Sequence, residues 1–154
     1  MNIKFIPINS HNYDEVKKLH ISASQKGNVE TVEECCREAV AFSLWRPVAV
    51  ADGEQLIGFA MYGLWINEGE RGRVWLDRFF IDERFQGQGY AKPVLIQLIR
   101  KIHEEYGYDE IYLSVYESNQ LAIKIYQSLG FTFNGEHDIN DELVMVLDIK
   151  ITNI

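Results

Sequence analysis

One stretch, VWLDRFFIDERFQGQGYAKPVLIQL from Val74 to Leu98, constrains the fold more than any other part of the chain. It opens as an apolar strand over 74–81, crosses a short polar turn holding Gly87 and Gly89, and continues as an amphipathic helix from Tyr90. A strand that passes through glycines into a helix leaves several backbone N–H groups exposed at the helix start. Those donors, with the positive end of the helix dipole, make an anion site. Glycine has no Cβ, so a bulky anion can come close to the main chain. The stretch therefore reads as a grip for the pyrophosphate of a large cofactor.

The remaining segments fit an α+β domain around this unit. Residues 3–8 read as a strand. Asn12 and Glu15 form a capping box for a helix with Val16, Leu19 and Ala23 at helical spacing, broken at Lys26-Gly27-Asn28. Thr31 and Glu34 form a second box, followed by an apolar face of Val32, Cys35, Cys36, Ala39 and Val40. Arg46-Pro47 closes that helical region. A short strand over 48–51, the turn Asp52-Gly53 and the strand LIGFAMYGL over 56–64 then lead through a polar loop, 67–72, back to 74–81. These make an antiparallel meander of three strands. The helix over 90–106 carries Pro93 in its first turn, where a missing N–H costs little, and stops at Gly107. A strand over 111–115 completes a right-handed parallel crossover. A helix over 119–129 closed by Gly130, and strands over 131–133 and 143–147 about a turn at Asn140-Asp141, finish the chain. The expectation is one domain, 1–154, with a mixed and mostly antiparallel sheet of about six or seven strands flanked by about four helices. The tail after Asp148 looks dispensable.

The formal charge of −8 makes the chain a poor partner for nucleic acid and a better one for a cationic small molecule, whose local concentration a negative field raises. No apolar run approaches the roughly 20 residues of a membrane span, and the polar N-terminus does not read as a signal peptide, so a cytoplasmic protein is expected. Cys35 and Cys36 are adjacent and His11, His20, His103 and His137 are scattered. No disulfide framework or metal site follows from them.

The turn Gln86-Gly87-Gln88-Gly89-Tyr90-Ala91, a Q-x-x-G-x-A pattern between strand and helix, resembles the acyl-CoA pyrophosphate loop of the GNAT-type N-acetyltransferases. The segment SVYESNQLAIKIYQSLGF resembles that family's second cofactor motif, with Asn119, Ala122, Tyr126, Gly130 and Phe131 in place. Two such motifs in order, about thirty residues apart, are far more specific than either alone. Within the family, GFAMYG with RVWLDRFFID resembles the spermine/spermidine (diamine) acetyltransferases. The resemblance implies a GNAT fold with a splayed central strand pair, acetyl-CoA as cofactor, a small-molecule amine as acceptor and a homodimer. It also implies a bulge in the strand before the loop, whose end (Phe79, Phe80 and Ile81) binds the pantetheine arm. The amides from Gln86 through Gly87, Gln88, Gly89 and Tyr90 to Ala91 would hold the pyrophosphate. Asn119 would meet the cofactor across the splay, and Tyr126 would be the general acid. Helical spacing by itself, with Ile123 and Leu129, makes Tyr126 a core residue; only the motif assigns it a role.

The chemistry implied is direct transfer in a ternary complex. A primary ammonium, with a reference pKa of about 10.4, must lose a proton before it can attack. A backbone N–H near Phe80 would face the oxyanion. Asp77 sits in an apolar strand, and period two places it on one face with Trp75 and Phe79. Burial of a lone carboxylate is costly, so it requires a partner: either the substrate ammonium or an arginine such as Arg78 or Arg73. The acidic residue of the diamine acetyltransferases falls at the same place. Glu30, Tyr62 and Trp45 are candidates for the amine pocket, with Glu33, Glu34, Glu68, Glu70 and Trp65 as further acidic or stacking groups. Lys92 and Lys124 are candidates for the cofactor phosphates. Acceptors other than a polyamine (an amino acid, a peptide N-terminus or an aminoglycoside) and a non-catalytic acyl-CoA-binding module remain open from sequence.

Overall fold

The computed structural model describes residues 1–22, 30–152 and 154. The elements run β1 (Ile3–Pro7), α1 (Tyr13–Val16), α2 (Val32–Ala41), β2 (Trp45–Asp52), β3 (Gln55–Trp65), β4 (Arg73–Ile81), α3 (Ala91–Tyr106), β5 (Glu110–Val115), α4 (Gln120–Leu129), β6 (Thr132–His137) and β7 (Leu143–Asp148). A short 3₁₀ turn, Glu83–Phe85, joins β4 to the loop before α3. The strands form one sheet in the order β1-β2-β3-β4-β5-β7-β6. All pairs are antiparallel except β4 with β5. The α+β class, the strand and helix numbers and the single parallel crossover agree with the sequence reading.

The sheet divides two apolar layers. On one side α3 presents Val94, Leu95, Leu98, Ile99 and Ile102, all buried, because their spacing keeps them on one helical face. They pack on Val74, Leu76 and Ile111, with Ile123 and Leu129 of α4 joining them. Each such side chain contributes roughly 1.5–3 kcal/mol by leaving water. On the other side Val32 and Cys35 of α2 and Val16 of α1 cover Trp45, Phe59, Met61 and Phe80. β2 is longer than expected and includes Pro47. That proline lies just past the last β1 pair, Pro7 with Val48, where a missing N–H breaks no ladder between β1 and β2.

The first helix differs from expectation. α1 is a single turn, and no capping box forms at Asn12. The Asn12 side chain turns backward instead, with Oδ1 accepting from the Asn9 N–H (2.9 Å) and Nδ2 donating to the Pro7 carbonyl (3.0 Å). Beyond Leu19 the chain is tied to the end of β4: the His20 N–H donates to Asp82 Oδ2 (3.0 Å) and the Glu83 N–H to the His20 carbonyl (2.9 Å). Those bonds replace a helical ladder. Ala23 and the break at Lys26-Gly27-Asn28 lie outside the described residues. The second capping box does provide an N-cap: Thr31 Oγ1 accepts from the Glu34 N–H at 3.1 Å.

Candidate active site

Two irregularities in β4 shape the site. The first is a bulge. β3 and β4 pair regularly through Tyr62 with Leu76, and the next pair is Met61 with Arg78, so Asp77 has no partner. An extra residue reverses the in–out alternation of everything after it. Trp75 and Phe80 therefore share the α2 side, while Leu76, Phe79 and Ile81 face α3 and α4. This corrects the period-two expectation that Asp77 and Phe79 lie on one face. It also puts consecutive residues Asp77 and Arg78 on the same side, which an unbroken strand forbids. Asp77 Oδ2 lies 2.9 Å from Arg78 Nη1. That nitrogen gives its hydrogen bond to the Asp77 carbonyl (2.8 Å), so the contact is an ion pair without hydrogen-bond alignment.

The second irregularity is a splay. β4 and β5 pair only at Val74 with Ile111 and Trp75 with Tyr112, and then diverge. β5 continues against β7, from Glu110 with Asp148 to Val115 with Leu143. The far half of β4 thus has an open edge toward β5.

Two cavities meet at this opening. One, of 440 Å³, runs along Ile81, Gln86, Gly87, Gly89, Tyr90, Ala91 and Lys92 and is closed on the far side by Leu121 and Ile125 of α4. Gly87 and Gly89 have φ of +77° and +82°, and open space lies where a Cβ would project. These are left-handed conformations that glycine adopts without strain. Among the described residues, no protein acceptor takes the backbone N–H groups of Gly87, Gln88, Gly89, Tyr90 or Ala91. A helix start with free amides beside a groove is suited to a phosphate group. The other cavity, of 680 Å³, is acidic and holds Glu30, Glu34, Asp77, Arg78, Ser114 and Glu142. Phe79, Phe80, Asn119, Ala122 and Tyr126 line both cavities. A third cavity, of 580 Å³, adjoins the acidic one through Asp77 and Ser114 and is walled by Trp45, Trp65, Trp75 and Glu68.

Electrostatics divides the acidic residues. Arg78 forms ion pairs with Asp77, Glu30 and, at 3.9 Å, Glu38. Burial, then the nearby carboxylates Glu38, Glu142 and Asp138, push Asp77 up to about 7. Burial and a hydrogen bond with Asp138 push Glu142 up to about 7 as well. Burial by itself would raise Asp138, but hydrogen bonds from Glu142 and Ser114 outweigh it and hold Asp138 below the usual carboxylate range. Burial pushes the Tyr126 phenol up to about 12, so it keeps its proton at neutral pH.

The profile of the acetyltransferase (GNAT) family matches residues 13–131. The spermine/spermidine N(1)-acetyltransferase of Bacillus subtilis is 42% identical over 152 residues, covering 97% of this chain and 100% of that protein. The chain belongs to the GNAT acetyltransferase family. A probable spermine N(1)-acetyltransferase of Bacillus subtilis subsp. natto is 41% identical over the same length. The fold of this acetyltransferase also matches a Vibrio cholerae spermidine N-acetyltransferase solved with CoA and spermine. That match has a TM-score of 0.72 at 20% identity, over 97% of this chain and 96% of the other.

Most of the residues singled out from the acetyltransferase sequence fall around the paired cavities, with instructive exceptions. Tyr62 does not. It is 1% exposed on the α3 side of the sheet, donates to Glu105 Oε1 (3.3 Å) and packs edge-on against Tyr106. It belongs to the opposite core layer, which corrects its expected place in the amine pocket. Trp45 lies in the tryptophan-walled cavity and not beside Tyr126. Gln88 turns its amide to the Arg84 carbonyl (3.2 Å), and Tyr90 donates its hydroxyl to Asp52 (2.7 Å), so any contact they make with an anion is through the main chain. Asn119 Oδ1 caps α4 by accepting from the Ala122 N–H (3.4 Å). Lys92 lines the cofactor-side groove; Lys124, Glu33 and Glu70 line none of the three cavities. Cys35 is buried, and burial raises its thiol pKa, which leaves it unreactive. Sequence reasoning missed Ser114, Asp138 and Glu142. Their only local signal is a polar residue within alternating β5 and an acid just before the apolar run of β7. Bringing them together takes the β5–β7 register, which is non-local.

Proposed function

We propose that this protein transfers the acetyl group of acetyl-CoA to a primary amine of a small polycation, with spermidine and spermine as the leading acceptors. The observation that carries this reading is the meeting, at Phe80 and Tyr126, of a groove ending in free helix-start amides with a cavity lined by carboxylates. The 42% identity to a spermine/spermidine acetyltransferase supports the same acceptor class.

In this reading the amides of Gly87 to Ala91 hold the pyrophosphate of CoA, assisted by the Gln86 loop and Lys92. The pantetheine arm lies along the open edge of β4 at Phe79, Phe80 and Ile81, beside Asn119. CoA supplies the thioester, and a backbone N–H near Phe80 faces its carbonyl oxygen. Tyr126 gives its proton to the departing thiolate. Asp77 and Glu30 draw the ammonium groups into the acidic cavity, while Trp45 and its neighbouring tryptophans flank the rest of the chain by cation–π contact. We also infer a homodimer, for which the exposed outer strand β6, with Phe133 on it, offers an unpaired edge. A cytoplasmic location follows from the use of acetyl-CoA, an intracellular metabolite.

The test is thiol release from acetyl-CoA across a panel of spermine, spermidine, diamines, amino acids, peptides and an aminoglycoside. Turnover restricted to the polyamines is expected; turnover confined to α-amino acids or peptides would reject the acceptor. Tyr126→Phe should lower kcat by about 10²-fold, the low end for a lost proton donor, while CoA affinity stays within twofold. Unchanged kcat would remove Tyr126 from the acid role. Light scattering on the eluted peak reads the oligomeric state.

A further inference from the structure

Direct attack by an ammonium substrate needs a group that takes its proton, and the cavity holds several carboxylates that are not equivalent. Asp77 is committed to Arg78, whose guanidinium also holds Glu30 and Glu38. Glu142 is different. It stands at the start of β7, beside the end of β5 where the splay is open, and lines the same cavity as Phe80 and Tyr126. Among the described residues no cation lies within ion-pair distance of it. Its contacts are the Asp138 carboxyl and, at 3.5 Å, the Ser114 hydroxyl. The main chain locks the two acids together: the Glu142 N–H donates to Asp138 Oδ1 (2.9 Å) and the Asp138 N–H to the Glu142 carbonyl (3.0 Å). Two carboxyls in contact cannot both ionise freely, so they share one proton until a cation arrives.

We propose that Glu142 is the proton acceptor for the substrate ammonium, with Asp138 as the residue that positions and primes it. This rests on the acetyltransferase reading above and assigns the one group that reading leaves open. An arriving ammonium displaces the shared proton to solvent, and Glu142 then faces the substrate as a carboxylate. R–NH3⁺ gives one proton to Glu142, and the nitrogen lone pair forms the N–C bond to the thioester carbon. The C–S bond breaks, its electron pair leaves on sulfur, and sulfur takes the Tyr126 proton. The second proton lost from nitrogen restores the Tyr126 hydroxyl. The sum is R–NH3⁺ plus acetyl-CoA giving the acetamide, CoA thiol and one proton, which leaves through Glu142.

The titration of Glu142 agrees with this use. Its pKa near 7 lies at the working pH, where an acceptor is most effective. The groups that face it are Asp77 and Arg78 from β4, Ser114 from β5 and Asp138 on the hairpin before β7. Farther out lie Glu30, Glu34 and Glu38 on the α2 side, Lys17 and His20 near α1, Tyr116 after β5, Tyr126 of α4 and the His137–Asp141 pair. Burial and then Asp138 hold its pKa up, and Arg78 and the Ser114 hydroxyl oppose them.

The experiment measures kcat and KM against pH for the full chain with acetyl-CoA, using acceptor amines whose own pKa spans about 8 to about 10.5. Glu142→Gln is expected to lower kcat by about 10²-fold for the most basic amines and by less than tenfold for the least basic, because the latter arrive partly neutral. KM should stay within threefold, and the fall of kcat below pH 7 should vanish. Asp138→Asn should move that acid limb to lower pH by at least half a unit and lower the kcat above it by less than Glu142→Gln does. A kcat loss that is equal across the amine series, or a Glu142→Gln enzyme within threefold of wild type, overturns the proposal, as does an unmoved limb in Asp138→Asn. If wild type uses an amine other than a polyamine, the acceptor assignment fails while Glu142 is still tested with that amine. Wild type without turnover on any amine sinks both.

Discussion

Asp77 carries opposite consequences for stability and for binding. Its pKa is about 7 in the fold and about 3.9 in an unfolded chain. Between those values the folded state binds more protons than the unfolded one. Stability therefore falls as pH rises from about 4 to about 7, then levels off. Asp77→Asn removes this cost. It should raise Tm by a few degrees over wild type at pH 8, with no gain at pH 4, which scanning calorimetry reads directly. The same change should raise KM for polyamines severalfold and leave CoA affinity unaltered; a matched loss of both would make Asp77 a purely structural partner of Arg78. A site that stores an unfavourable charge until its ligand arrives is a common trade of stability for function.

The bulge in β4 explains why an apparently regular strand presents Asp77, Arg78 and Phe80 to one side and Phe79 and Ile81 to the other. Gly58 of β3 accommodates the end of that strand, since an added Cβ would sit 2.5 Å from the Phe80 carbonyl oxygen. The segment just after α1 is anchored to the same strand end by Asp82, which is wholly buried. Asp82 accepts from the His20 N–H (3.0 Å), the Arg84 N–H (3.0 Å) and Arg84 Nε (2.8 Å). Burial would raise its pKa, but these bonds outweigh burial and hold it below the usual value. A depressed pKa stabilises the fold above about pH 4 and ceases to do so as pH falls through the folded value. Asp82→Asn should cost about 1–3 kcal/mol at pH 7, because its amide opposes donors with a donor. Urea unfolding at several pH values checks this: the gap to wild type should narrow below pH 4. Persistence of the full gap at pH 3 would mean that the carboxylate charge is not what anchors the segment.

The whole molecule carries 23 acidic against 15 basic side chains, and several of those acids converge on the cleft. A cationic acceptor should feel that field before contact. Raising ionic strength from about 0.05 to about 0.5 M, which shortens the Debye length below 10 Å, should lower kcat/KM for spermine severalfold with kcat nearly constant. A salt-independent kcat/KM would show that the field plays no part in capture. The cofactor half of the site is local in origin: Gly87, Gly89 and the start of α3 are contiguous, so their geometry follows from backbone preferences written in a dozen residues. The element order and the parallel crossover were legible for the same reason, since apolar periodicity and glycine stops act over short range. The acceptor half is not local. Asp77 and Glu142 come together through the β5–β7 register and the divergence of β4 from β5, and Tyr62 goes to the far layer through pairing with Leu76. Residue order along the chain thus settles where the open helix-start amides lie. Which carboxylates share the acidic cavity is settled by strand register and by one unpaired residue in β4, because a single insertion in a ladder reverses every side chain beyond it.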